Sequence, residues 1–228
     1  MTDFLVFALV APMGAFGDLA GHERRGSHHW PGRSAILGLI GGALGVRRND
    51  RDGQAALAVW KVSVSVLCAG EAWRDFHTVQ TVPSARIKRP ATRRAALAGL
   101  RRTDTGLITR RDYRSDCAFG VALRGGDIPP LQKALKRPAF TPYLGRKSCP
   151  LSAPMSPKTV VADTPADALA GITLPPFLSL DPARPKLIAS DEEVGTGWIE
   201  TRWDEPLDRE AWHFGQRAVY LHRPESDA

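Results

Sequence analysis

Cysteine is scarce in this chain, and its spacing is not that of a cross-linked or zinc-binding protein. The 228 residues contain three cysteines, Cys68, Cys117 and Cys149, and no Cys-x-x-Cys motif. An odd number of widely separated thiols is typical of a reducing compartment, where disulfides are rare. We therefore expect free thiols, no structural zinc, and no other metal or cofactor.

Long apolar runs are also missing. No stretch approaches the roughly 20 apolar residues that a membrane-spanning helix needs. The N-terminal segment is apolar, but Asp3 stands where a secretory signal peptide carries basic residues, and Pro12 and Gly14 interrupt the segment. The sequence thus predicts a cytoplasmic protein with no membrane partner.

Common catalytic patterns are lacking as well. Gly38, Gly41, Gly42 and Gly45 do not spell Gly-x-Gly-x-x-Gly, and they fall inside a predicted helix instead of before it, which argues against a dinucleotide fingerprint. No Ser-His-Asp arrangement occurs, and no pair of carboxylates on one strand end or helix face accompanies His77. His77 could exchange protons with an RNA 2′-hydroxyl, or it could be a structural residue or an RNA contact.

Positive charge is what the chain has in excess. The formal net charge is +7 and the sequence pI is about 9.7, which favours an anionic partner, usually nucleic acid. Residues 79–114 contain ten Lys and Arg against two Asp, whereas residues 191–210 contain eight Asp and Glu against two Arg. We expect one surface to meet an anion and another, in the C-terminal region, to be acidic.

The periodicity of apolar residues predicts a mixed α and β chain. The predicted order is a buried strand over 3–10, a polar stretch over 18–32, a buried helix capped by Ser34 and running to Gly45, a strand over 59–68 extended by 73–78, a strand over 113–124, and a helix over Pro129–Lys136. One more strand would complete a ferredoxin-like split β-α-β order. Residues 79–110 leave this pattern except at a helix-prone patch over 93–100, and 150–186 suggest a linker or wrapped loop. Late strands are predicted over 196–203 and 216–223.

The most distinctive segment is Thr141–Leu151. Pro142 and Pro150 fix the backbone near both ends, and Gly145 permits a φ that other residues resist. Between them stand Arg146, Lys147 and Ser148. A small, stiff, cationic segment suits close approach to a phosphate, and it is also compatible with an ordinary surface loop.

Candidate RNA contacts follow from residue chemistry, because Arg and Lys meet phosphates and aromatic rings stack on bases. The candidate phosphate contacts are Arg33, at the start of the buried helix, and Arg110, Arg111, Arg146 and Lys147. The candidate stacking residues are Phe16, Trp30 and Tyr143, each of which could instead pack in the core.

Five ordered motifs resemble those of one family. They are Ala11-Pro12-Met13 with Phe16-Gly17, Pro31-Gly32-Arg33-Ser34 leading to Gly38-Leu39-Ile40-Gly41, Asp75-Phe76-His77-Thr78-Val79, Arg111-Asp112-Tyr113 through Asp116-Cys117-Ala118-Phe119, and the Thr141–Leu151 segment. They lie within residues 3–151. On the basis of these five motifs, the chain is identified as a member of the fifth family of CRISPR-associated proteins. It resembles the subtype I-E branch, whose members are subunits of the Cascade surveillance complex.

The resemblance implies a fold. Family members have an α+β, ferredoxin-like palm (RRM-like, of the RAMP type) and an extended β-hairpin thumb. The implied division is a palm with a C-terminal extension over 1–78 and 111–228, and a basic thumb insertion over 79–110.

The resemblance also implies a role. Members grip the 5′ handle of the CRISPR RNA and cap the Cascade backbone, next to the backbone subunit and the large PAM-reading subunit; target DNA is met only through the complex. The implied RNA contacts add Met13, Ser34, His77, Gly145 and Ser148 to the residues above.

A related subtype cuts precursor CRISPR RNA without a metal, but in subtype I-E another subunit does so. We therefore expect a non-catalytic subunit, with metal-independent endoribonuclease as the alternative.

Overall fold

Ten strands and five helices make up the part of the chain that the computed structural model describes, residues 1–21, 23–80, 89–101 and 106–224. The strands are β1 (Thr2–Gly14), β2 (Gly17–Ala20), β3 (Arg24–Ser27), β4 (Lys61–Cys68), β5 (Glu71–Val79), β6 (Leu107–Arg124), β7 (Lys158–Ala162), β8 (Leu187–Ser190), β9 (Trp198–Asp208) and β10 (His213–His222). The helices are α1 (Arg33–Leu44), α2 (Arg51–Ala58), α3 (Arg93–Ala98), α4 (Ile128–Lys136) and α5 (Pro165–Ala170). Among these residues no helix has the length and apolar content to cross a membrane.

The long strand β6 is the centre of the sheet. Its second half pairs with β1 on one side, where Leu9 lies opposite Phe119, and with β4 on the other, where Val64 lies opposite Val121. β7 pairs with β1, and β8, β10 and β9 continue beyond β4, so the order is β7-β1-β6-β4-β8-β10-β9 with every pair antiparallel. The predicted succession of strand, helix, strand, strand and helix is present in β1, α1, β4, β6 and α4, and β7 follows it.

Strand β1 is buried on both faces because a layer of helix covers each side of the sheet. Phe7 and Leu9 pack on the side of α1 and α4, whereas Val6 and Val10 pack on the other side with Leu169 of α5. The prediction that residues 150–186 form a linker or wrapped loop is therefore wrong in part, since they supply β7 and α5. These elements have five and six residues, too few for a periodic pattern to stand out.

The start of α1 also differs from the prediction. The helix begins at Arg33 with Gly32 as its N-cap, and the Ser34 side chain does not cap it. A carboxylate oxygen of Asp204 lies 2.0 Å from where a Cβ on Gly32 would be, so any other residue here would have to displace that carboxylate. Four short elements were not predicted from the sequence. β2 and β3 lie in the stretch 18–32, which was described only as polar, and α2 and β8 were not recognised. All four are at most eight residues long.

Strands β5 and β6 form a hairpin whose ladder runs from Glu71 opposite Ser115 to Val79 opposite Leu107. The predicted boundaries of the basic insertion, 78/79 and 110/111, therefore fall inside this ladder. The helix-prone patch is confirmed as α3, which Thr92 caps through the N–H of Ala95. Residues 81–88 and 102–105, with Arg86, Lys88 and Arg102, lie outside the described residues, and the proposed division into palm and insertion stays a prediction.

Candidate nucleic-acid interface

One face of the β5–β6 hairpin gathers cations, and we call it the basic face: Arg25, Asp75, His77, Arg111 and Arg146. Asp75 lies opposite Arg111 on β6, and Arg111 lies opposite Arg25 on β3. Paired residues of adjacent strands project to the same side of a sheet, so these side chains share one face. This part of the site comes from three strands that are distant in sequence.

Three side chains stack beside the basic face. The rings of Trp73 and Tyr113 are nearly parallel, with an interplanar angle of 16° and centroids 4.9 Å apart. The guanidinium of Arg146 lies over the Tyr113 ring, 4.4 Å from its centroid, and its Nη2 donates to the carbonyl of Arg25 at 3.4 Å. Tyr113 is only 7% exposed, because both neighbours cover it. The stack fixes the position of the Arg146 charge.

The segment that carries Arg146 is a tight loop anchored to the core. The N–H of Leu144 donates to the carbonyl of Cys149, and the N–H of Ala15 donates to the carbonyl of Leu144. Gly145 has φ +81°, and a Cβ there would lie 1.7 Å from the carbonyl oxygen of Ala15. Leu144 and Cys149 are buried, and burial raises the pKa of the Cys149 thiol. Lys147 and Ser148 remain exposed at the tip of the loop.

His77 is held between opposite charges. Its Nδ1 lies 3.1 Å from Oδ2 of Asp75, and its Nε2 lies 3.3 Å from Nη1 of Arg111. The three side chains form a row across the two strands. Both ring nitrogens therefore face charged groups, although Nδ1 makes no hydrogen bond of standard geometry among the described residues.

The opposite face of the hairpin is also cationic but is partly neutralised. Arg24 and Arg74 both donate to the carboxylate of Asp112, at 2.7 Å and 2.6 Å. The bond from Arg74, more than that from Arg24, lowers the pKa of Asp112 to about 2. Arg110 is exposed on this face, opposite Phe76. Arg110 and Arg111 are adjacent in the strand and therefore point to different faces of the hairpin. The two candidate phosphate contacts thus lie on different surfaces.

Two of the predicted stacking residues lie in the core. Phe16 is 1% exposed and packs edge-on against Phe119, with centroids 5.3 Å apart. Trp30 is 7% exposed, and the guanidinium of Arg202 lies 3.9 Å from its ring centroid. Neither ring has a free face for a base, so the stacking prediction is wrong for both. Tyr143 is exposed at the foot of the loop, and Met13 is half-buried against the core.

Arg33 is likewise a structural residue. It is buried, and its guanidinium forms ion pairs with Asp191 at 2.5 Å and with Glu205 at 2.8 Å. It also donates to the carbonyls of Trp60 and Ala58. A phosphate would have to displace these internal carboxylates, so the prediction of a phosphate contact at Arg33 is wrong. Ser34 is half-buried, and its carbonyl accepts from Arg209.

The same network explains the acidic C-terminal stretch. Asp191 also accepts from Arg217 at 2.7 Å, and Arg217 donates to Asp204 at 2.6 Å. Several of these carboxylates therefore neutralise internal arginines instead of forming the acidic surface that the sequence predicted. They tie the hairpin β9–β10 to β4 and α1.

Sequence reasoning missed Arg25, Asp75 and the Trp73–Tyr113 stack as parts of the site. A signal was available for the stack, because in an antiparallel hairpin residues symmetric about the turn lie opposite each other, as Trp73 and Tyr113 do. No such signal connected Arg25 or Arg146 with β6. Within the described ranges, no group of three or more His, Cys, Asp or Glu side chains is placed to hold a metal.

The comparisons with known proteins define the family. Residues 4–220 match the model of the family described as CRISPR-associated protein (Cas_Cas5). The match covers most of the chain, and the chain therefore belongs to this family. The prediction made from the five sequence motifs is confirmed.

One curated relative is the CRISPR system Cascade subunit CasD of Escherichia coli (strain K12), with 30% identity over 236 residues, covering 97% of this chain and 96% of the relative. A solved structure titled as a Cas protein is 26% identical, covers 99% of this chain and 100% of that one, and has a TM-score of 0.67. A chain from a CRISPR RNA-guided surveillance complex has a TM-score of 0.72 and 24% identity, covering 97% of this chain and 90% of that one. This last likeness concerns the fold alone.

Proposed function

We propose that the chain is a non-catalytic, CRISPR RNA-binding subunit of a type I-E Cascade complex that grips the 5′ handle of the CRISPR RNA. The observation that carries the proposal is the basic face, where Arg25, Arg111 and Arg146 converge from three separate segments next to a stacked Trp–Tyr pair. Fixed cations beside aromatic rings suit a single-stranded nucleic acid. The 30% sequence identity with CasD, over 97% of this chain, supports membership in such a complex.

The fold supports the division into a palm and a thumb that the family implies. The antiparallel order β7-β1-β6-β4, with α1 and α4 on one side, supports the ferredoxin-like palm that we propose. In the proposed arrangement, the β5–β6 hairpin would be the thumb. The partners would be the backbone subunit and the large PAM-reading subunit, in the cytoplasm, and target DNA would be met only through the assembled complex.

The experiment is co-expression of the tagged chain with the other Cascade subunits and a CRISPR array. We expect the wild-type chain to retain CRISPR RNA and the other subunits, and Arg111→Gln with Arg146→Gln to reduce the RNA retained per subunit. Arg137→Gln, at an exposed arginine that ends α4, is the control. A wild-type chain that assembles into no RNA-containing complex would refute the proposal.

Metal-independent endoribonuclease remains the alternative, and one observation favours it. Asp75 lies 3.1 Å from Nδ1 of His77, and a carboxylate in that position can orient a histidine for proton transfer. Against it, the Nε2 that would exchange the proton faces the guanidinium of Arg111 at 3.3 Å. Incubating the purified chain with repeat RNA in EDTA separates the two. Cleavage that His77→Ala abolishes would establish the enzyme, and intact RNA supports the binding subunit.

A further inference from the structure

A broad cleft of about 1720 Å³ lies beside the basic face. Its walls are the exposed side of α1 with the loop that follows it, the segment 140–150, and the C-terminal hairpin β9–β10. Nothing in the sequence motifs pointed to this cleft, because its residues come from three regions that are at least 50 positions apart.

The charge around the cleft is positive. The cations on its walls are Arg47, Arg48, Lys147, Arg202 and Arg209, and the carboxylates are Asp18, Glu200 and Asp204. Asp204 is already bonded to Arg217, which lies outside the lining. Glu200 accepts from the indole of Trp198. The cleft therefore attracts an anion more strongly than a neutral or cationic partner.

Two of these arginines are shielded from solvent, since Arg202 is buried and Arg209 is half-buried. Arg202 is 8% exposed, and its Nη1 has no hydrogen-bond partner among the described residues. Burial lowers the pKa of Arg202, and for Arg209 burial acts together with the nearby charge of Arg48. A guanidinium that is desolvated and incompletely paired strengthens the positive potential of the space it borders.

The cleft also presents large aromatic faces. Trp203 is 63% exposed and Trp212 is 56% exposed, and both line it. Trp212 is held in place by Phe214, which meets it edge-on at 5.4 Å, and by Arg48, whose guanidinium lies 4.5 Å from its ring centroid. A fixed, solvent-facing indole beside arginines can stack on an unpaired base.

The cleft is continuous with the basic face. Tyr143, Gly145 and Lys147 line it, whereas Arg146 of the same loop reaches over to Tyr113 on the hairpin. A nucleic acid strand that passes the loop tip would meet cations on both sides.

We propose that this cleft binds single-stranded RNA and continues the path of the basic face, with Trp203 and Trp212 stacking on bases and Arg48 and Arg209 meeting phosphates. The inference rests on the proposed function, and it assigns the C-terminal hairpin to the RNA site. The charge excess favours RNA over a protein partner as the occupant.

The test measures binding of a fluorescein-labelled oligouridine of about 12 nucleotides, a length within the range of single-stranded sites, by anisotropy. Trp212→Ala and Arg48→Gln should each weaken binding, Trp212→Ala by about 5-fold or more, which is the loss expected for one stacked base. The matched controls are Trp198→Ala, a partly exposed tryptophan of the same hairpin outside the cleft, and Arg137→Gln. Ultraviolet crosslinking in the co-purified complex should join RNA to the peptides that carry Trp203 and Trp212.

The outcomes separate this inference from the proposed function. If Arg111→Gln weakens binding while Trp212→Ala matches Trp198→Ala, and crosslinks stay on the hairpin β5–β6, the cleft proposal is overturned and the proposed function stands. If Trp212→Ala leaves RNA affinity intact but loses other subunits from the complex, the cleft is a protein-docking surface and the proposal is again overturned. If wild type binds no RNA, alone or in the complex, both proposals fail.

Discussion

The guanidinium of Arg146 lies over the ring of Tyr113, 4.4 Å from its centroid, and this contact joins the loop after α4 to the hairpin strand β6. It gives Arg146 a structural role in addition to its charge. Lys147, the next residue, is exposed and has no such contact among the described residues. The two cations can therefore be separated by substitution.

Arg146→Lys keeps the charge and removes the planar group over Tyr113. We expect it to lower the free energy of unfolding by about 0.5–1 kcal/mol, the range for a partly exposed cation–π contact, and to leave the salt dependence of RNA binding unchanged. Lys147→Gln should leave the free energy of unfolding unchanged. It should reduce the slope of the logarithm of the RNA-binding constant against the logarithm of the salt concentration by about 0.7. Urea unfolding and anisotropy at several salt concentrations measure both. Equal behaviour of the two variants would contradict the separate roles.

Asp112 makes the stability of the hairpin depend on pH. Its pKa in the folded chain is about 2, below the ordinary value of 3.8, so its ion pairs stabilise the fold above about pH 4 and are lost as the pH falls towards 2. Because the side chains of Arg24 and Arg74 are 60% and 43% exposed, water screens both ion pairs, and we expect a loss of about 1 kcal/mol. Asp112→Asn should remove this part of the acid sensitivity. The control is Asp127→Asn, at the exposed N-cap of α4, which should keep the acid sensitivity of the wild type. If both variants follow the wild-type pH profile, the assignment to Asp112 is wrong.

Gly145 and Gly42 form a matched pair for backbone effects. Gly145→Ala places a methyl group 1.7 Å from a carbonyl at φ +81°, so we expect a loss of about 2 kcal/mol or more and displacement of the loop. Gly42 lies inside α1 and a Cβ there meets nothing within 4 Å, so Gly42→Ala should stabilise the chain by about 0.5–1 kcal/mol. Thermal unfolding compares them, and a neutral Gly145→Ala would show that the loop adjusts freely.

Arg33→Ala tests whether the arginine of the Pro-Gly-Arg-Ser motif is structural. Removal of its charge leaves Asp191 buried with Arg217 as its remaining cation, and we expect a loss of about 3 kcal/mol. At a temperature where the variant is folded, its RNA salt slope should equal that of wild type. A smaller slope with little change in stability would restore Arg33 as a phosphate contact.

The main strands and helices could be predicted because each buries a long apolar pattern. β4 alternates at every second residue, and α1 is apolar nearly all round, so local sequence was enough for both. The short elements β2, β3, α2, β7, β8 and α5 escaped, because their positions depend on pairing and packing with distant segments. Phe16 and Trp30 show the same limit at the site, since an aromatic residue near basic residues has the same local pattern whether it packs inside or faces a base.

The sequence by itself determined the family, the excess of positive charge and the order of the central strands and helices, because motifs, charge and apolar periodicity are local properties. Only the tertiary structure decided which cations serve the surface. Arg33 pairs internally with Asp191, 158 positions away, while Arg25, Arg111 and Arg146 meet at one face. Electrostatic roles depend on distance and burial, and both are set when remote parts of the chain come together.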